Sequence, residues 1–217
     1  MKKTALLVCL FVSATLVSFA QVKKGAVTYD MNFSSTNPEM GMISGMMAGS
    51  KMTMYFIPGK SRTDVSMGMM GTTTTVSDQK AKKSVSWVDM MGMKYATETV
   101  LEENPEKPEG QTVEITEETK EILGYTCTKA LITSPETGVM TIWFTKELQA
   151  FTNGQNYYNS SIPGFPLLIS MATNEINIEL VATKIEKKAS KKLFSTKIPQ
   201  GYELKTAEEL KEMGGGM

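Results

Sequence analysis

Apolar and polar residues alternate along most of the chain, a pattern typical of strands with one buried face. The clearest case is residues 24–33, where every second position is apolar: Val27, Tyr29, Met31 and Phe33. Similar short segments, each ending at turn-forming residues, predict strands over residues 51–57, 61–67, 72–77, 84–88 and 94–99. Because consecutive strands usually pair with each other, these segments predict an antiparallel meander.

The stretch 122–171 contains the next predicted strands. Its alternating segments ILGYTCTKALI and VMTIWFTKEL flank the turn-forming string SPETG, which predicts a β-hairpin. The apolar string FPLLI follows at residues 165–169, directly after Pro163 and Gly164. We expect these two residues and Pro166 to prevent a regular central strand at the start of the string. We hypothesise that the string instead lines the mouth of a cavity.

Few helices are predicted. A short helix is expected over residues 38–48, with Asn37 as its cap. Its glycines, spaced four residues apart, weaken it, so we expect a loose, methionine-rich lid. Thr206 and Glu209 form a possible capping box for a C-terminal helix, and residues 146–158 are predicted as a short helix or an irregular crossover.

The first 20 residues have the pattern of a secretory signal peptide. Two lysines precede an apolar run at residues 5–17, and Ser18 and Ala20 are small residues at the cleavage-recognition positions. The sequence therefore predicts export to the periplasm, the outer membrane or the exterior, with no transmembrane span after cleavage. Residues 21–217 are predicted to form a single domain. The charged, proline-containing segment 101–111 leaves a boundary between two small domains as an alternative.

The composition excludes several kinds of chemistry. The chain has no histidine, which rules out a histidine general base, a catalytic triad and an imidazole metal site. Of the two cysteines, Cys9 lies in the signal peptide, and Cys127 is predicted to be a buried, unreactive strand residue. The 23 basic and 23 acidic residues balance, which gives no indication of nucleic-acid binding. We therefore predict a protein that is not an enzyme and has no cofactor and no metal site.

Methionine is unusually frequent, with 18 residues. Most of them fall in four clusters: Met40/Met42/Met46/Met47, Met52/Met54, Met67/Met69/Met70 and Met90/Met91/Met93. Flexible, polarisable thioethers suit a surface that accommodates apolar ligands of varied shape. They are also soft ligands for Cu(I), although no histidine or cysteine accompanies them here. Ordinary core packing explains single methionines on strand faces, and for the clusters we favour the apolar surface over copper.

Four strings in the chain carry a resemblance to known families. ILGYTCTKA, TIWFTKEL and IPGFPLLI occur in this order, and LFSTKIPQGYE follows at residues 193–203. The first three resemble a block shared by two exported families of Gram-negative bacteria, the GLPGLI family and, more closely, the domain-of-unknown-function 4412 family. The last resembles the ending common to the latter family and to the periplasmic LolA/LppX-like lipoprotein carriers. This resemblance implies a curved, incompletely closed antiparallel sheet with helices over an apolar cavity.

The predicted fold class is therefore mainly antiparallel β (α+β), a LolA/LppX-like incomplete β-barrel with short covering helices. The predicted function is non-enzymatic binding of a hydrophobic small molecule, a lipid or an acyl chain, in the cell envelope. The alternatives are an envelope protein–protein interaction module and a methionine-rich copper-binding protein. The residues predicted to bind the ligand are Met40, Ile43, Met47, Met54, Trp87, Trp143, Phe165 and Leu167.

Overall fold

Among the residues described by the computed structural model of the chain, twelve β-strands form one continuous sheet. The structure describes residues 21–35, 37–102, 109–135, 138–149, 161–172, 176–206 and 209. The predicted signal peptide lies outside the described residues. So do residues 150–158 of the predicted crossover and most of the predicted C-terminal helix.

Turns, loops and helical segments connect the strands. The strands are β1 (Gly25–Ser34), β2 (Lys51–Ile57), β3 (Lys60–Ser66), β4 (Gly71–Asp78), β5 (Lys83–Met90), β6 (Met93–Val100), β7 (Thr112–Ile122), β8 (Tyr125–Ser134), β9 (Gly138–Thr145), β10 (Phe165–Ala172), β11 (Asn177–Glu186) and β12 (Glu203–Leu204). Helix α1 spans Pro38–Met46, and a 3₁₀ helix spans Lys191–Phe194.

The sheet consists of two antiparallel meanders joined edge to edge. Strands β1–β6 pair in sequence, strands β7–β11 pair in sequence, and β1 pairs with β11 to join the two sets. The short β12 adds in parallel to β6 at the far edge. The predicted meander, the predicted helix over residues 38–48 and the β8–β9 hairpin are therefore confirmed, with shifts of one or two residues at most ends.

The predicted fold class is wrong, both as α+β with covering helices and as an incomplete barrel. Within the described residues the structure is nearly all β, and its one open sheet folds into a sandwich-like arrangement whose two halves pack on each other instead of curving around a helix-covered cavity. Helix α1 has nine residues, a length of about 14 Å, whereas twelve strands side by side extend over about 50 Å. A helix of this size cannot cover the sheet. It contacts β1 and the β3–β4 turn.

The sheet folds onto itself and brings distant strands into one core. Phe56 on β2 and Phe165 on β10 are three strands apart, a separation of about 14 Å in a flat sheet. Their ring centroids are nevertheless 4.9 Å apart. Both belong to a buried apolar cluster, here called the main core, of Val27, Tyr29, Met52, Phe56, Cys127, Leu148, Phe165, Leu167 and Ala182. A second cluster contains Ala130, Ile132, Ile142, Phe144 and Ile162.

Tyr29 links β1 to β10 across β11 inside the main core. Its side chain is fully buried, and its hydroxyl donates to the carbonyl oxygen of Pro166 at an O···O distance of 2.5 Å. The pairing of β10 with β11 starts only at Leu168, and the β9–β10 register shifts between Pro166 and Leu168. The Pro166 carbonyl thus lies outside the β10–β11 ladder, and the tyrosine hydroxyl supplies its donor. Burial raises the pKa of Tyr29 well above its usual value, which keeps this donor protonated.

The expectation for the start of the FPLLI string is therefore confirmed, because Phe165 and Pro166 pair with β9 but not with β11 and the register shifts after Pro166. The strand begins at Phe165 and is a regular central strand, paired with both β9 and β11, only from Leu168 onward. The irregularity at Pro166 accommodates the N–H that proline lacks. Bulges of this kind are where a sheet tolerates proline.

Strands β3–β5 carry serine side chains on the same face of the sheet as Phe56 of the main core. Ser61 lies opposite Phe56, and Ser77 and Ser84 extend the same row over the next two strands. All three serines are buried, and the hydroxyls of Ser77 and Ser84 are 3.0 Å apart. Hydrogen bonding along this row offsets the cost of burying polar groups.

Replacement of Tyr29 by phenylalanine is expected to destabilise the fold by about 1–3 kcal/mol, because the buried Pro166 carbonyl loses its hydroxyl donor. Urea unfolding monitored by circular dichroism measures this change. Tyr202→Phe, at a partly exposed ring near the C-terminus, is the matched control. Equal unfolding midpoints for the two variants would contradict the role assigned to Tyr29.

Candidate functional site

A pocket of about 500 Å³ lies beside the β7–β8 turn. Three parts of the chain line it: the turn with Leu123, Gly124 and Tyr125, the segment after β9 with Glu147, and the end of β11 with Thr183, Lys184, Ile185 and Lys187. Aromatic, apolar, acidic and basic side chains therefore meet in one place. The volume is in the range of small-ligand pockets, about 300–1,000 Å³.

The β7–β8 turn presents an apolar residue at the edge of this pocket. Leu123 and Gly124 are the two turn residues between the paired Ile122 and Tyr125, and both have positive φ, 52° and 80°. This is the turn geometry that two-residue hairpins favour. Leucine seldom adopts a positive φ, and the Leu123 side chain is also exposed. Because strained, exposed residues concentrate at binding sites, Leu123 is a candidate contact residue.

Glu147 is held in place by the backbone around it. The Val22 N–H donates to the Glu147 carbonyl at 2.8 Å, and the Gln149 N–H donates to the Val22 carbonyl at 2.9 Å. The Thr126 N–H donates to Glu147 Oε1 at 3.3 Å. Among the described residues that line the pocket, Glu147 is the only acid. It is therefore the acceptor that the pocket offers to hydroxyl or amide donors.

The opposite wall of the pocket is basic. Lys184 Nζ lies 3.2 Å from Glu186 Oε2, and both side chains are mostly exposed. An exposed ion pair of this kind contributes little stability, so Lys184 can turn toward a ligand at small cost. The neighbouring Thr183 hydroxyl donates to the Thr28 carbonyl at 3.3 Å, which fixes its position on β11.

None of the eight predicted ligand-binding residues lines this pocket. The structure brings four of them together at the main core. Phe165 and Leu167 are fully buried members of it, and Met54 and Trp143 pack against it. The Trp143 ring also lies close to a lysine side chain, since Lys120 Nζ is 4.2 Å from the ring centroid.

The other four predicted residues lie elsewhere. Met40 and Ile43 are on α1, and Met47 directly follows it. Across the strands, Trp87 pairs with Thr74, Thr74 with Asp64, and Asp64 with Thr53. Met54 is the residue next to Thr53, so Trp87 and Met54 lie on opposite faces of the sheet. The eight residues thus do not share one cavity, and their role in ligand binding stays a prediction.

Trp87 belongs to a polar cluster that fixes the C-terminal segment. The Arg62 guanidinium carbon lies 5.6 Å from the centre of the Trp87 ring system. Arg62 Nε is 2.8 Å from Asp64 Oδ1, and an Arg62 terminal nitrogen donates to the Leu193 carbonyl at 3.2 Å. Arg62 therefore connects β3 to the 3₁₀ helix that precedes β12.

Cys127 is buried in the main core, as predicted. Burial raises the pKa of its thiol to about 11, an effect that the nearby Lys120 ammonium opposes and the Glu147 carboxylate reinforces. The thiolate is therefore a very minor form at neutral pH.

The part of the chain that the structure describes lacks two further features. It contains no group of three or more His, Cys, Asp or Glu side chains placed to hold a metal ion. It also contains no helix that is long and apolar enough to cross a membrane.

The fold and the pocket define an all-β domain built on one open, folded sheet with a polar pocket at a hairpin turn. The model of a family described as "N-glycanase peptide, N-terminal domain" matches residues 55–208. Because this match covers more than half of the sequence, the chain belongs to the family of PNGase F-II N-terminal domains. Among curated proteins, no significant match was found.

Solved structures of PNGF-II share the fold. The structure in space group C2 has a TM-score of 0.53 at 16% identity, and the structure in space group P21 has a TM-score of 0.53 at 18% identity. These matches cover 87% and 88% of the chain. The chain spans only about a third of PNGF-II, 32% and 33% of its length in the two structures.

The family resemblance given by the sequence strings is therefore wrong. The match identifies neither the GLPGLI nor the domain-of-unknown-function 4412 family, and it does not identify a LolA/LppX-like carrier. The expected half-barrel and lipid ligand depended on that resemblance, and neither is supported. The strings ILGYTCTKA and IPGFPLLI instead supply strand, turn and core residues of the β8–β10 region.

Cys127 is expected to react with a thiol reagent on the order of a hundredfold more slowly than free cysteine at pH 8, because its raised pKa suppresses the thiolate and burial blocks access. Absorbance of the released thiol reagent measures the rate. The same protein in guanidinium chloride is the control and should react at the rate of an unfolded peptide. Fast labelling of the folded protein would show that this part of the core opens readily.

Replacement of Arg62 by lysine is expected to loosen the C-terminal segment, because lysine keeps the charge but lacks the planar guanidinium whose separate nitrogens reach Asp64 and the Leu193 carbonyl. Hydrogen-exchange mass spectrometry should show faster exchange in peptides that cover residues 193–204. Lys51→Arg, at an exposed ion pair, is the charge-conserving control. Unchanged exchange in the Arg62 variant would mean that the 3₁₀ helix is held by other contacts.

Proposed function

We propose that the chain is an exported, non-catalytic accessory domain that binds N-glycosylated proteins, with the pocket beside the β7–β8 turn as its contact site. Membership in a family of N-glycanase N-terminal domains supports the accessory role and the substrate class. The signal-peptide pattern of residues 1–20 supports export.

The observation that carries the proposal is the polar lining of the pocket. Glu147 offers a carboxylate acceptor, Lys184 and Lys187 offer ammonium donors, and Tyr125 offers a ring and a hydroxyl. A glycan or the peptide around its attachment site presents many hydroxyl and amide groups that such side chains can pair with. An acyl chain would bury charged groups without partners, which is costly.

The arrangement of the pocket supports binding more than catalysis. General acid–base cleavage needs an acid and a base that reach the same bond, and glycosidases place two carboxyl groups on either side of it. Among the described lining residues, Glu147 is a single carboxylate. It is also tied to the Thr126 N–H. Glu147 is therefore assigned to ligand binding.

The test is binding of the purified chain to an N-glycosylated protein and to the same protein after enzymatic removal of its glycans, measured by calorimetry. We expect binding to the glycosylated form only. Glu147→Gln should weaken it on the order of tenfold, since a hydrogen bond to a charged group contributes about 1.5–3 kcal/mol. Glutamine keeps an oxygen for the Thr126 N–H, so the local fold should be retained.

Glu118→Gln is the matched control, because Glu118 is an exposed acid of the same hairpin that pairs with Lys129 outside the pocket. Equal affinity for the glycosylated and deglycosylated proteins would refute glycoprotein recognition. Equal losses in the two variants would refute the pocket as its site. Mass spectrometry of the test protein after incubation should show intact glycans, and their release would show that the domain is an enzyme.

A further inference from the structure

Three of the four methionine clusters meet at one end of the sheet. They lie on and just after α1, in the β3–β4 turn, and in the β5–β6 hairpin. Their described members, here called the methionine rim, are Met42, Met46, Met47, Met67, Met69, Met70, Met90, Met91 and Met93. The fourth cluster is different, since Met52 belongs to the main core and Met54 packs against it.

The end of α1 and the β3–β4 turn are in direct contact. The Met69 N–H donates to the Met46 carbonyl at 3.3 Å. A Cβ atom at Gly68 would lie 2.6 Å from the same carbonyl oxygen, so only glycine permits this approach. The segment that carries Met46 is therefore fixed against the turn that carries Met69.

The β3–β4 turn is equally close to the β5–β6 hairpin. Gly71 at the end of this turn pairs with Met90, and a Cβ atom at Gly71 would lie 2.1 Å from the Asp89 carbonyl oxygen. Met90 pairs in turn with Met93 across a two-residue turn of Met91 and Gly92. Both turn residues have positive φ, 51° and 85°, so Met91 lies at the tip. The three segments thus form one continuous rim.

Five of the nine rim side chains are exposed, and Met47, Met67, Met70 and Met90 are partly buried. Met69 is 82% exposed, Met91 78% and Met42 75%. Burying a methionine side chain contributes about 1.5–3 kcal/mol, and these residues forgo that gain. These exposed methionines do not fill the core, which leaves the apolar contact surface that the sequence favoured and a soft-metal site as the two interpretations. The exposed thioethers are gathered in one place and remain in contact with water, which ordinary packing does not explain.

We infer that the methionine rim binds Cu(I) through thioether sulfurs supplied by all three segments, with Met69 between Met46 and Met91. Thioethers are soft ligands that select Cu(I). The methionine side chain has three rotatable bonds, so sulfurs from adjoining segments can turn toward one ion while the glycine-fixed backbones stay in place. The chain contains no histidine, and Cys127 is buried in the main core, so neither imidazole nor that thiol competes at this rim.

A thioether has no proton to release when it binds a metal, unlike a thiol, an imidazolium or a carboxylic acid. Binding of Cu(I) at the rim is therefore expected to be independent of pH between about pH 5 and pH 8. A thiol must lose its proton to bind the ion, so this behaviour separates a thioether site from adventitious binding to Cys127.

The test is an anaerobic titration of the purified chain with Cu(I) in competition with a chromophoric Cu(I) chelator. We expect one Cu(I) per chain, with the same affinity across the pH range. The variant Met46→Leu/Met69→Leu/Met91→Leu should bind at least about tenfold more weakly. Leucine retains the apolar character of each position, so a change reports the loss of sulfur. The control Met31→Leu/Met54→Leu/Met140→Leu removes three sulfurs from strand positions away from the rim.

Equal affinity of the two triple variants, or no binding by the unmodified chain, would overturn the inference. Chemical shifts of the methionine methyl groups, labelled with carbon-13 and titrated with redox-inert Ag(I), give a readout on the unmodified protein. We expect shifts at rim methionines and none at Met31 or Met140. Shifts spread evenly over all methionines, or absent from the rim, would also overturn it.

Discussion

The buried hydrogen bond from the Tyr29 hydroxyl to the Pro166 carbonyl fixes how the two meanders of the sheet fold together. Proline removes a ladder donor from β10, and the register shift that accommodates it leaves a carbonyl outside the ladder. Tyr29 reaches this carbonyl over β11, where the neighbouring residue on the ladder is the small Ala182. The same contact satisfies a buried polar group and brings Phe165 against Phe56, so polar satisfaction and core packing depend on one side chain.

The candidate pocket is a consequence of this folding. The β7–β8 turn and the end of β11 are separated by three strand spacings along the sheet, about 14 Å if the sheet were flat. Curvature brings the turn beside Thr183 and Lys184, and the bridge between Val22 and Leu148 places Glu147 between them. A glycoprotein-binding function for this site would therefore depend on the geometry of the main core as much as on the groups that line the pocket.

Alternation of apolar and polar residues was sufficient to predict β1–β6 and the β8–β9 hairpin, and the cap at Asn37 before Pro38 predicted α1. It could not predict that β1 pairs with β11, because strand pairing over such a sequence distance leaves no local signal. For the same reason the pocket was missed, since Glu147 and Lys184 meet only after that pairing forms. Trp87 was assigned to the ligand site by residue type, and only the strand registers show that it faces away from Met54. The family strings misled because they consist of turn and core residues, which unrelated all-β proteins also need.

The methionines show most clearly what composition leaves undecided. Met52 and Met69 are the same residue type, yet one is buried between strands and the other projects from a turn. Part of the distinction was present in the sequence, because Gly68 and Gly92 mark turns and their immediate neighbours are the rim residues Met67, Met69, Met91 and Met93. A methionine beside a turn glycine lies at a strand end, where alternation no longer directs it to the core. Position relative to the turns therefore separates the sulfurs that pack the interior from those that can meet a soft ion.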